Sequence, residues 1–62
     1  MIDCTIVFSE GGEEIKVSLP SVPRKGEFID IMNDEHDDSF EVQNVAYCIN
    51  KDNEFSRTII HI

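Results

Sequence analysis

The sequence predicts an all-β fold in which five short strands curl into one small, partly open barrel with no sizeable helix. Apolar and polar residues alternate in several short runs, which is the pattern of half-buried strands. Gly, Pro, Asn and Asp gather between these runs, where turns form. Because a chain of 62 residues cannot build two packed sheets of ordinary size, we interpret residues 1–62 as a single domain with a thin core.

The first two strands are predicted to form a hairpin. Residues 2–8 place Cys4 and three other apolar side chains on one face. Residues 9–12 then supply two glycines, which can take the dihedral angles of a tight hairpin turn. The alternation resumes over residues 13–19, and Pro20 ends the second strand because proline cannot donate a ladder hydrogen bond.

The middle of the chain is predicted to contain two further strands. The third strand follows Gly26 and covers residues 27–32. The polar segment NDEHDD, residues 33–38, is expected to be an exposed loop. The fourth strand covers residues 39–49, and its apolar face changes parity across residues 43–44, which predicts a β-bulge or a sharp bend there.

A polar turn at residues 50–54 leads to the last strand, residues 55–62. The segment VPRKGEFIDI, followed by FEVQNVAYCIN and the closing apolar strand, resembles small SH3-like barrel proteins, including uncharacterised ones from phages and bacteria. The resemblance covers residues 19–62 and implies an SH3-like barrel, without implying an activity. An OB-fold is the alternative, disfavoured because it usually needs more residues and often a helix.

The chain is strongly acidic. Thirteen Asp and Glu against five Lys and Arg give a formal net charge of -8. Direct binding to nucleic acid is disfavoured, because that mode needs a basic surface that releases counterions. The charge either serves solubility alone or meets a protein partner with a basic surface, in the manner of a DNA mimic. The predicted contact residues are the acidic loop and its neighbour: Asp34, Glu35, Asp37, Asp38 and Glu41.

No metal or cofactor is predicted. Asp30 and Glu41 stand at the first and twelfth positions of a calcium loop, but Met32 and Glu35 occupy the third and sixth positions, where an acidic ligand and a glycine are needed. The two histidines have no cysteine or histidine at ligand spacing, so zinc is not predicted either.

Catalysis is not predicted. Cys4 and Cys48 lie within apolar strand patterns, and Cys4 is expected to be buried as a small hydrophobic residue. No glycine-rich loop is followed by a helix, so the sequence contains no phosphate-binding loop of the usual kind. With two cysteines, no CxxC pair, no leader and no apolar run of membrane length, we expect a cytoplasmic protein without membrane association. If a phage encodes it, the compartment is the host cytoplasm.

Three functions are compatible with these observations. The first is a non-catalytic protein-binding module, in its specific form a phage or mobile-element inhibitor that occupies a host nucleic-acid-processing protein. The second is an assembly protein that self-associates through its edge strands, for which a homodimer is a fair expectation because small domains need additional stabilisation. The third is sequestration of a small anionic nucleotide, with Arg24, Lys25 and Arg57 as the anion contacts.

Overall fold

The protein is an all-β structure, as the sequence predicts. A computed structural model describes residues 1–62 and contains six strands and no helix. It therefore has no helix of the length and apolarity that a membrane crossing requires. The strands are β1 (Ile2–Val7), β2 (Glu14–Leu19), β3 (Phe28–Met32), β4 (Asp37–Glu41), β5 (Asn44–Ile49) and β6 (Phe55–His61).

The strands form two open sheets. The larger sheet has four strands in the order β2-β1-β6-β5, and β3 and β4 form a separate antiparallel hairpin. Strand β1 pairs antiparallel with β2 and parallel with β6, so the first and last strands of the chain are neighbours in the middle of the larger sheet. Two open sheets that share one core are compatible with a small, partly open barrel.

The number of strands differs from the prediction because the long fourth strand is divided. Its two parts are β4 and β5, and the chain passes from one sheet to the other at Val42 and Gln43. The Val42 N–H donates to the Glu27 carbonyl at 2.8 Å, whereas the Gln43 N–H donates to the His61 carbonyl at 2.8 Å. Successive residues thus pair with different sheets, which accounts for the predicted bend and for the change in apolar parity.

The predicted exposed loop at residues 33–38 is shorter than expected. Asp37 and Asp38 belong to β4, where they pair with Met32 and Ile31. Only residues 33–36 form the turn, and the Asn33 side chain stabilises it: Oδ1 accepts hydrogen bonds from the backbone N–H groups of the second and third residues after it, at 2.9 and 2.7 Å. The polar run marks a solvent-exposed strand as well as a turn, which is why composition alone misplaced the boundary.

The core lies between the hairpin and one end of the larger sheet. Cys4 is 3% exposed, which confirms its predicted burial, and both cysteines are free. On β5 and at the start of β6, Tyr47, Ile49 and Phe55 lie outside this core and are 61%, 59% and 59% exposed. The buried apolar residues are Cys4, Ile6, Phe8, Ile31, Val42, Ile60 and Ile62.

Candidate protein-binding face

The β3–β4 hairpin presents an exposed surface that is both apolar and acidic. Its register pairs Phe28 with Glu41 and Met32 with Asp37. Alternate residues of a strand point to the same face of a sheet, and the outward residues are all exposed, with Phe28 at 67% and Met32 at 78%. We call this surface the hairpin outer face; its residues are Phe28, Asp30, Met32, Asp37, Ser39 and Glu41.

The opposite face of the hairpin anchors it to the larger sheet. Ile31 is buried to 7% exposure, and Ile29 and Phe40 pack against the core. The hairpin ladder is extended at its base, where the Gly26 N–H donates to the Val42 carbonyl at 2.9 Å. The hairpin outer face is therefore presented on a strand pair that packing and hydrogen bonds hold in place, and a partner need not order it on binding.

The structure distributes the five predicted contact residues over three places. Asp37 and Glu41 lie on the hairpin outer face. Asp34 and Glu35 lie in the turn at its tip. Asp38 pairs with Ile31, whose side chain is buried, so Asp38 does not belong to the hairpin outer face. Its exposed carboxylate accepts a hydrogen bond from the backbone N–H of Ser39 at 2.8 Å.

The sequence assigns neither Met32 nor Asp30 to a binding surface, since Met32 falls within the predicted third strand and Asp30 is considered only as a calcium ligand. Phe28 is predicted as one of the aromatic residues that a thin barrel leaves partly exposed beside acids. In the run FIDIM, Phe28 and Met32 alternate with Ile29 and Ile31, so they share the strand face of Asp30. That alternation was the available signal, because apolar residues on the polar side of a strand are exposed.

The acidic side chains of the protein are almost entirely unpaired. The one contact of salt-bridge length joins His36 Nε2 to Glu13 Oε2 at 2.8 Å, and none of the five Lys and Arg residues forms such a contact with a carboxylate. On the hairpin outer face, Asp30 accepts a hydrogen bond from the Ser39 hydroxyl, which leaves its charge in place. The negative field of this face therefore meets no local cation that would cancel it.

The three predicted anion contacts do not share a pocket. Arg24 and Lys25 line a hollow of about 250 Å³ beside Tyr47. Arg57 lines another hollow, of about 670 Å³, together with Lys16. An anion site built from all three predicted cations is thus not assembled in this fold.

The neighbourhood of Cys4 does not activate its thiol. Burial, and after it the negative charge of Asp3, raises the pKa of Cys4 above the ordinary value. A raised pKa keeps the sulfur protonated, and the thiol is a much weaker nucleophile than the thiolate. Cys4 therefore acts here as part of the core.

Glu13 and His36 line a third hollow, and the Glu35 carboxylate lies close to both of them. Donor atoms of Glu13, Glu35 and His36 all lie within 4.8 Å of one another. No ligand spacing along the chain indicates this group, because its members come from the turns of two different hairpins.

The fold and its surface define a small acidic all-β protein with an amphipathic, exposed hairpin. Comparison of the chain with protein-family models, curated proteins and solved structures finds no match.

Proposed function

We propose that the chain is a non-catalytic protein-binding module that contacts its partner through the hairpin outer face. The observation that carries this proposal is the exposure of Phe28 and Met32, at 67% and 78%, on a strand pair that also displays three carboxylates. Protein interfaces combine large apolar or Met side chains at the centre with a polar rim. This face contains both kinds of residue, with Phe28 and Met32 at the two ends of β3 and Asp30 between them.

The charge of the face indicates the chemistry of the partner. Asp30 lies between the two apolar side chains along β3, Glu41 and Asp37 lie opposite them on β4, and none of the three carboxylates pairs with a Lys or Arg. A partner with two apolar depressions and Lys or Arg between and beside them would complement this arrangement. Exposed charges of this kind mainly raise the association rate and fix the orientation, and salt weakens their contribution.

The finer form of the proposal is an inhibitor of a nucleic-acid-processing protein. The net charge of -8 and the lack of compensating ion pairs support it, since carboxylates could then occupy positions that phosphates occupy in the partner's usual ligand. In this form the protein is a phage or mobile-element product that acts in the host cytoplasm. Duplex DNA should compete with it for the partner; a partner bound equally well with and without DNA would leave only the coarser proposal.

The proposal is tested by affinity capture from bacterial lysate at low and moderate salt, read by mass spectrometry. The tagged protein is compared with the variant Asp30→Asn, Asp37→Asn, Glu41→Gln, which removes three charges from the hairpin outer face. Its matched control is Glu14→Gln, Asp52→Asn, Glu54→Gln, which removes three exposed charges elsewhere. We expect one specific protein to be captured by the wild type and the control and lost from the first variant; equal capture by all three would contradict the proposal.

A second candidate function, self-association, has one observation in its favour. Strand β5 is an edge of the larger sheet, and Tyr47 and Ile49 on it are 61% and 59% exposed. An unpaired edge with apolar side chains can pair with a second copy. Sedimentation equilibrium would show a dimer that persists at high salt and is lost in Tyr47→Ser, Ile49→Ser; a monomer at all protein concentrations would exclude this candidate.

A further inference from the structure

We propose that Glu13, Glu35 and His36 bind one zinc ion at the junction of the two sheets. Glu13 directly precedes β2, while Glu35 and His36 lie in the turn between β3 and β4. His36 Nε2 already lies 2.8 Å from Glu13 Oε2, and donor atoms of all three side chains are within 4.8 Å of one another. The site is independent of the hairpin outer face, and this inference goes beyond the proposed function.

The histidine is held in place by packing, which distinguishes this group from an ordinary patch of surface acids. Its ring stacks on Phe8 with the centroids 4.5 Å apart and the planes inclined by 18°. Phe40 presents its own ring at 81° to the imidazole from a centroid distance of 6.4 Å. The His36 side chain is only 22% exposed. The direction of its Nε2 is therefore fixed before any ion binds, as in metal sites whose ligands are oriented by surrounding groups.

The donor set favours zinc over calcium or magnesium. One imidazole nitrogen and two carboxylate oxygens supply the three protein ligands of a zinc site with an open fourth position, with two carboxylates where such sites usually carry at most one. Calcium and magnesium prefer oxygen ligands alone. Bond lengths of about 2.0–2.2 Å place tetrahedral zinc ligands about 3.3 Å apart, so the carboxylates need to move by about 1–2 Å, which the exposed side chains of Glu13 and Glu35 allow.

The open position can be reached from a hollow of about 430 Å³. Glu13 and His36 line it together with Ser9 and Glu10. A water molecule or an anionic group of a ligand can enter there to complete the coordination. On binding, the ion replaces the hydrogen bond between His36 and Glu13, and any proton held between them is released to solvent.

Zinc at this place would stabilise the fold. The His36–Glu13 contact is the one hydrogen bond between two side chains that joins the β3–β4 hairpin to the larger sheet or its turns. An ion bound to residues of both hairpins would reinforce this connection in the folded state alone, which raises the melting temperature by mass action. Small domains with thin cores often use a metal in this way.

The inference is tested on the untagged full chain after treatment with a chelator. Calorimetric titration with zinc chloride should give one ion per chain, and zinc should raise the melting temperature where calcium and magnesium at the same concentration do not. Glu13→Gln and His36→Gln should each weaken binding by about tenfold or more. Glu14→Gln, the same chemical change at the neighbouring exposed position, should leave it unaltered.

A second readout does not depend on how well the variants fold. In heteronuclear NMR spectra of the wild type, zinc should shift the ring signals of His36 and leave those of His61 in place. Three results would each overturn the inference. They are the absence of shifts at both histidines, an unchanged zinc affinity in His36→Gln, and the loss of zinc binding in Cys48→Ser. The last result would show that zinc binds a thiol instead.

Discussion

The imidazole ring of His36 stacks on the ring of Phe8, with the centroids 4.5 Å apart and the planes inclined by 18°. Phe8 also meets Phe40 edge to face at a centroid distance of 5.2 Å. These contacts join the end of β1 to the hairpin turn and to β4, two parts of the chain that belong to different sheets. Phe8 is thus a principal side-chain contact between the two sheets, and His36 depends on it for its orientation.

Replacing Phe8 by alanine should destabilise the protein strongly. Its side chain is 6% exposed, and its loss leaves a cavity between the sheets. We expect the free energy of unfolding to fall by about 3–5 kcal/mol, measured by urea denaturation. Phe55→Ala, at a position that is 59% exposed, should cost less than about 0.5 kcal/mol. If Phe8→Ala does not fold, Phe8→Leu gives a smaller loss; equal stabilities of Phe8→Leu and wild type would contradict the packing described here.

Gly26 is predicted to be intolerant of a side chain for reasons of backbone conformation. Its φ angle is +92°, in the region that L-residues avoid, although space around it is free. Gly26→Ala should therefore lower the free energy of unfolding by about 1–2 kcal/mol through strain alone. Lys25→Ala, one residue earlier in the same turn, is the control and should be close to neutral. A stable Gly26→Ala variant with an unchanged urea midpoint would show that the turn has another conformation.

The raised pKa of Cys4 predicts a loss of stability in alkaline solution. The thiol's contribution is fully present below its ordinary pKa of 9.0 and is lost as the pH rises through the higher value in the folded state. Urea midpoints measured from neutral pH to above 9.0 should thus fall more steeply for the wild type than for Cys4→Ala. All other titrating groups are the same in the wild type and in Cys4→Ala, so the difference between the two curves reports the Cys4 thiol. Parallel curves would mean that the thiol ionises without a folding penalty.

Salt should stabilise the free protein. A net charge of -8 with no Lys or Arg paired to a carboxylate implies that repulsion among carboxylates outweighs attraction. Sodium chloride shortens the screening length from about 10 Å at 0.1 M to about 3 Å at 1 M, so the urea midpoint should rise over this range. Glu54→Lys makes the net charge less negative at an exposed turn position, so its urea midpoint should rise less with salt. A midpoint that falls with salt would contradict this description of the charges.

Much of the fold follows from the sequence by simple periodicity. The alternating runs at β1, β2 and β6 indicate strands, and the change of parity at residues 43–44 indicates the bend between β4 and β5. The sequence did not show that β4 begins as early as Asp37. Polarity reports exposure, and one face of a hairpin can be exposed along its whole length, so a polar strand and a polar loop have the same composition.

The candidate sites were less predictable than the strands. Acidic residues are visible in any sequence, but which of them accompany Phe28 and Met32 depends on the β3–β4 register, and hairpin register is set by the turn. The approach of Glu13 to His36 depends on how two sheets pack, since the two residues are 23 positions apart. Such contacts follow from three-dimensional packing and have no local sequence pattern.

The most direct measurement of the central proposal is affinity capture with the apolar residues of the hairpin outer face removed. Phe28→Ser, Met32→Ser is compared with Tyr47→Ser, Ile49→Ser, which removes two similarly exposed apolar side chains from the edge strand β5. We predict that the first variant loses the captured partner at moderate salt and that the second retains it. Loss in the second variant with retention in the first would place the contact on β5 and contradict the assignment of binding to the hairpin.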